Sequence, residues 1–126
     1  MGLQHPLGRV RGLGSAKAGS HHWWLQRATA IALIPLTLWF VYSALTLAAG
    51  DHASSVQWIT EPANAILMIL LILATFHHLQ LGLQVVIEDY IHHEALKIGS
   101  LLVMKLGSVS LAVVAIFSTI MVSFGG

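Results

Sequence analysis

The sequence predicts an all-α integral membrane protein with three transmembrane helices, and three observations predict it. Charged residues make up 9% of the 126 positions and hydrophobic residues 56%. A soluble domain carries about 25% charged residues, so this chain lacks the means to build a water-compatible surface. The few charges are clustered, leaving three apolar runs that each exceed the roughly 20 residues needed to cross a bilayer. Tryptophans flank the first run, where an amphipathic ring suits the membrane–water boundary. The length fits one domain. The net charge of +1 comes without a basic stripe, so no nucleic-acid partner is expected. There is no cysteine, which excludes disulfides, thiolate metal sites, iron–sulfur ligation and covalent c-type haem attachment. The eight histidines outnumber the six lysines and arginines and are the only abundant metal-capable side chains.

Residues 1–20 are rich in Gly and Ser, carry Arg9, Arg11 and Lys17, and lack apolar periodicity. They read as a flexible basic N-terminal arm, able to touch anionic lipid or soluble partners. Residues 21–126 read as a single membrane domain with spans at about 26–50, 62–90 and 98–124. The apolar run after the arm is too long for a signal-peptide core of roughly 7–15 residues. His21, His22, Trp23 and Trp24 mark the first interface, and Arg27 follows. Ala28 to Gly50 contains no Asp, Glu, Lys or Arg. Pro35 lies inside this run and is expected to kink it, with a neighbouring helix, Thr or water satisfying the freed carbonyl.

Gly50 to Ser55 reads as a polar turn, and Trp58 marks the next interface. Glu61 and Pro62 suit a helix start, the acid favouring the N-terminal dipole and Pro the first turn. Pro62 to Ile87 is free of formal charge yet holds His77 and His78, and it ends at Glu88, Asp89 and Tyr90. Residues 91–97 form a short polar connection. In the third span Lys105 can snorkel to the nearer surface, and Gly107, Ser108 and Ser110 are small enough for a helix to approach closely. Lysines and arginines lie before the first span and around the second loop side, with none in the first loop or at the C-terminal end. The positive-inside rule therefore places the N-terminus and Asp89–Tyr90 on the cytoplasmic or matrix side. That puts Arg27 and Tyr90 on the same side of the membrane.

The second span carries the chemistry. Histidine is costly in hydrocarbon and is by default functional there. A helix advances about 100° per residue, so Asn64, Leu71, Thr75, Gly82, Val85 and Asp89 lie within about 60° of His78. This stripe mixes polar and small residues and suits contact with protein rather than lipid. Gly82, one turn from His78, leaves room for a flat cofactor against the backbone. His77 points about 100° away, toward Gln84 and Glu88, with Gln80 nearby. Periodicity alone does not choose between the two histidines. Adjacent histidines on a helix do not ligate the same iron. If haem binds, one supplies one axial bond and the other axial bond comes from another chain, because no other span contains a histidine. The alternative is a neutral histidine hydrogen-bonded to a neighbouring helix, with no cofactor.

His78-Leu-Gln-Leu-Gly82 followed by Asp89-Tyr90, together with Gln26-Arg27-Ala28-Thr29-Ala30 at the start of the first span, resembles the hydrophobic membrane-anchor (D) subunits of succinate dehydrogenase, complex II, of the cytochrome b small-subunit type. The resemblance runs from His21 onward. It implies a three-helix bundle packed with a companion cytochrome b anchor (C) subunit, with haem b held between them by one axial histidine from each. Here that ligand would be His78. It also implies that Tyr90 hydrogen-bonds a ubiquinone carbonyl, with Asp89 the acid beside it, and that Arg27 lies near the haem propionates and the quinone. The implied partners are that companion anchor, an iron–sulfur subunit (B) and a flavoprotein subunit (A) that oxidises succinate. The implied place is the bacterial inner membrane, in preference to the mitochondrial one, and the isolated chain would have no activity. The sequence departs from the family pattern at His77, Gln80 and Gln84, where apolar or aromatic residues are common. Trp23 and Trp24 have no role in that pattern.

The residues suit this chemistry. Quinone reduction adds two electrons and two protons, so the carbonyl oxygens need donors and a water-linked proton source. Tyr90 offers an O–H, Asp89 can orient it or relay protons, and Arg27 is a permanent cation fit for a propionate or a developing anion. Against this stand plainer readings. Tyr90 would be an interfacial belt residue, Arg27 a topology signal and Asp89 a solvated helix end. His21, His22, His92 and His93 read as interfacial polar residues. At the level of the whole chain, the competitors are the anchor of a quinol–fumarate reductase or formate dehydrogenase, and a cofactor-free structural or assembly protein.

Overall fold

The computed structural model describes residues 17–125. They form four helices: α1 (Lys17–Ala48), α2 (His52–Thr60), α3 (Pro62–Tyr90) and α4 (Glu94–Gly125). Three of these, α1, α3 and α4, are long and apolar enough to cross a membrane. The expected arm at residues 1–20 lies largely outside the described residues, but Lys17 to Ser20 already belong to α1. At roughly 1.5 Å per residue, the 32 residues of α1 extend about 48 Å. That exceeds the roughly 30 Å hydrocarbon core, so α1 carries its own backbone hydrogen bonding out through the interface.

Pro35 lies inside α1 without ending it. The hydroxyls of the long helices bond back onto their own carbonyls. Thr46 donates to Ser43 O at 2.8 Å, Ser108 to Met104 O at 2.7 Å and Thr119 to Ala115 O at 2.8 Å. This local pairing lets hydroxyls sit in an apolar span without an unsatisfied donor.

The stretch read as a turn near residue 52 is a helix, α2. Asp51 caps it, its Oδ1 accepting from Ser54 N at 2.9 Å and from Ser54 Oγ at 2.7 Å. These bonds satisfy an otherwise orphaned backbone donor of the first turn and hold the Asp51 carboxyl below its ordinary pKa. Trp58 stacks on Trp39 of α1 with ring centroids 5.4 Å apart. Asn64 Nδ2 donates to Trp58 O at 2.9 Å, tying the end of α2 to the start of α3. Pro62 occupies the first turn of α3, where its missing N–H costs nothing. Only three residues separate α3 from α4. His93 caps α4, with Leu96 N donating to His93 Nδ1 at 3.3 Å and Lys97 N to His93 O at 2.8 Å.

α3 is the central element, packed against α1 and against α4, while α2 packs on α3 and α4. Helices in lipid gain little from hiding apolar surface, so close approach of small residues drives their packing. The buried positions follow that rule: Ser43, Ala65 and Ser108 are small, and Leu81 is the one large side chain among the described residues that is buried. Of the small residues expected to admit a neighbour in α4, Ser108 does so, while Gly107 and Ser110 are exposed.

Candidate functional site

His78 is half-buried in α3, facing α1. Thr29 Oγ1 of α1 lies 3.1 Å from His78 Nδ1. The same hydroxyl oxygen is 2.7 Å from Leu25 O and 3.1 Å from Gln26 O, one turn back in its own helix. This contact marks the register of the antiparallel α1–α3 pair. One turn along α3 from His78, a side chain placed on Gly82 would meet nothing within 4 Å. Of the stripe around His78, Thr75, Val85 and Asp89 are exposed, so a face of α3 beside this histidine is left uncovered by its own chain.

His77 sits differently. It lines a groove of about 590 Å³ between α1, α3 and α4, together with Gln80, Thr29, Ser108 and otherwise apolar side chains. Gln84 does not join it. Its Nε2 donates instead to Glu88 Oε1 at 3.1 Å, along the helix. His77 and His78 therefore face different surroundings, as their angular separation requires.

Arg27 is exposed, and its guanidinium lies over the Trp23 ring, 5.3 Å from the centroid. Trp23 in turn meets Trp24 edge-on at 5.0 Å. The paired tryptophans thus acquire a role that spacing did not suggest: Trp23 seats the cation. Arg27 is two positions from Thr29, so its backbone lies within about 3 Å of the His78 level but about 200° round α1, and its guanidinium extends over Trp23 toward the Tyr90 end.

Asp89 and Tyr90 close α3 and are exposed, Tyr90 at 78%. Tyr90 stands about 18 Å from His78 along the axis and about 15 Å from the level of Arg27. Arg27 and Tyr90 share one end of the α1–α3 pair, and among the described residues Arg27 contacts Trp23 rather than His78, Asp89 or Tyr90. Among the described residues, neither Asp89 nor Tyr90 makes a side-chain hydrogen bond.

Two further polar groups lie on the α1 face that carries Thr29. His22 Nε2 and Gln26 Oε1 are buried without a hydrogen-bond partner among the described residues. Sequence reasoning gave Gln26 and Thr29 no role of their own and placed His22 at the interface. The available signal was their spacing, one and two turns apart on a single face. No group of three His, Cys, Asp or Glu side chains among the described residues is placed to hold a metal ion.

The family described as "Succinate dehydrogenase/Fumarate reductase transmembrane subunit" matches residues 1–122. The chain belongs to this family. It is 39% identical over 101 residues to the succinate dehydrogenase hydrophobic membrane anchor subunit of Rickettsia bellii, covering 80% of this chain and 81% of that one. Against the protein of the same name from Rickettsia conorii the identity is 35%, covering 78% and 79%. A succinate dehydrogenase membrane anchor subunit of Reclinomonas americana is 30% identical, covering 71% and 77%. A multi-pass succinate dehydrogenase anchor is part of an oxidoreductase complex, and the three apolar helices are the anchor itself.

Proposed function

We propose that this anchor supplies one axial ligand of a haem b and part of a ubiquinone-reduction site, passing electrons from succinate to quinone within a four-subunit complex. The observation that carries the proposal is His78: a half-buried imidazole in a charge-free span, beside the open backbone of Gly82 and an uncovered helix face. These residues fit a flat macrocycle. The histidine offers a ring nitrogen, the glycine leaves the approach clear, and the exposed stripe admits a companion anchor carrying the second ligand. Haem b, when bound, supplies one-electron redox chemistry whose potential the surrounding protein tunes.

This chain's residues then divide the work. His78 holds iron through one ring nitrogen. Arg27, seated on Trp23 between the levels of His78 and Tyr90, offers its planar fork to a haem propionate or to the quinone. Tyr90 donates its O–H to a quinone carbonyl at the membrane surface, and Asp89 orients that hydroxyl or returns a proton to it from water. The exposure of both residues suits a site whose other wall comes from the iron–sulfur and companion anchor subunits. The flavoprotein performs the succinate chemistry, and the isolated chain has no turnover of its own. The lysine and arginine distribution supports an N-terminus on the cytoplasmic side, in a bacterial inner membrane on this reading. The family description also names fumarate reductase, and the same helices serve quinol oxidation equally well.

The test is an absorption spectrum and mass spectrum of the complex extracted in mild detergent. The expected result is a Soret band together with a flavoprotein, an iron–sulfur subunit and a second anchor. A complex with those partners but no haem would remove the ligand assignment while leaving the anchor role intact.

A further inference from the structure

We propose that Thr29 is the positioning residue of the haem ligand: its hydroxyl oxygen accepts a hydrogen bond from His78 Nδ1–H, which fixes the ring tautomer and presents Nε2 as the iron-binding nitrogen. The inference rests on the haem reading above and deepens it.

The argument is a matter of one hydroxyl proton. Thr29 Oγ1 has one hydrogen to give and two lone pairs with which to accept. It has three polar neighbours: Leu25 O at 2.7 Å, Gln26 O at 3.1 Å and His78 Nδ1 at 3.1 Å. An O–H donor prefers about 2.7–2.8 Å, whereas an N–H donor ranges over about 2.7–3.2 Å. The short contact therefore takes the hydroxyl proton, and carbonyls accept but never donate. With that proton committed to Leu25 O, the remaining contact holds only if His78 Nδ1 carries the hydrogen. Two lone pairs facing each other at 3.1 Å in the low dielectric between packed apolar helices would repel.

A neutral imidazole with hydrogen on Nδ1 has its lone pair on Nε2. Metal-binding histidines are commonly held in this way, the other ring N–H donating to a fixed acceptor that sets orientation and raises ligand basicity. Here the acceptor is a hydroxyl already locked to its own helix backbone, so it cannot swivel away. Because Thr29 and His78 lie on different helices, the same bond couples the packing of α1 on α3 to the direction in which the ligand points. The Thr within Gln26-Arg27-Ala28-Thr29-Ala30 thereby gains a function separate from that of Arg27.

The experiment compares T29V and T29S in the intact complex. Valine keeps the shape and is at home in an apolar span, while serine keeps the hydroxyl and its back-bond. The readouts are haem retention in detergent, the midpoint potential and the low-spin ferric electron paramagnetic resonance signal. T29V is expected to weaken haem binding about 10–100-fold and to move the midpoint potential positive, because a less basic ligand supports ferric iron less well. T29S is expected to match the wild type in all three. A T29V complex of wild-type yield with unchanged potential, spectrum and haem retention would overturn the proposal. So would T29S failing as T29V does, since that would trace the effect to packing by the methyl group. If the wild-type complex carries haem that H78A removes while T29V changes nothing, the tautomer proposal alone fails. If the wild-type complex carries no haem, the reading on which it rests fails with it.

Discussion

His78 and Tyr90 share one helix, about three turns apart, and differ in how their surroundings are made. His78 is half-buried and held by a neighbouring helix of the same chain, with Thr29 on its ring nitrogen. Tyr90 and Asp89 stand exposed at the end of α3, without a side-chain hydrogen bond among the described residues. The first region is organised in advance by this chain. The second is left open by this chain. On the proposed reading, the cofactor ligand is oriented before assembly, whereas the quinone-facing groups gain their positions only within the complex.

The largest expected effect breaks the first region. H78A should abolish the Soret band of the purified complex, whereas H77A should retain it, since His77 faces the groove between α1 and α4. A band that survives H78A and disappears in H77A would reverse the two assignments. The second region should respond in another currency. Y90F is expected to lower succinate–quinone activity about tenfold, the worth of one neutral hydrogen bond, with dye-linked succinate oxidation and the haem spectrum intact. Unchanged quinone kinetics would return Tyr90 to the interfacial belt.

Smaller effects sharpen the boundary between the regions. W23L removes the seat of Arg27, a cation–π contact worth about 0.5–1 kcal/mol at an exposed site. Haem retention or the KM for quinone should change about two- to fivefold, and the larger change assigns Arg27 to the haem or to the quinone. The smallest effect belongs to α2, far from both regions. The Asp51 carboxyl is held below its ordinary pKa first by the Ser54 hydroxyl and then by the Ser54 backbone N–H. A lowered folded-state value means the cap is fully present above the ordinary aspartate range and is lost as pH falls through that lowered value. Amide exchange at Ser54 should therefore accelerate only in strong acid, and D51A should show the fast rate at every pH. D51N, which keeps an acceptor, should remain slow and lose the acid dependence.

Much of this architecture was legible because hydropathy is a local property. Three charge-free runs announce three spans, and a pair of histidines inside one of them announces a site. The helix α2 was partly legible: Asp51 and Ser54 stand at capping distance, but nine residues show too little periodicity to separate a short helix from a turn. The pairing of Thr29 with His78 was not legible at all, because the register between two antiparallel helices leaves no periodic mark in either one. The same holds for the separation of Arg27 from Tyr90. Counting charges assigned both to one side of the membrane, and only the register of α1 on α3 puts their backbones about 15 Å apart along the axis.

The sequence by itself determined the number of spans, their helical state and the presence of polar chemistry in the middle one, since the cost of charge and of unpaired backbone groups in hydrocarbon leaves no other solution. The tertiary structure decided which helix faces which histidine and which groups this chain leaves uncovered. Those choices depend on close packing of small residues such as Ala65 and Ser108 between helices, a short-range fit that no single helix carries in its own pattern.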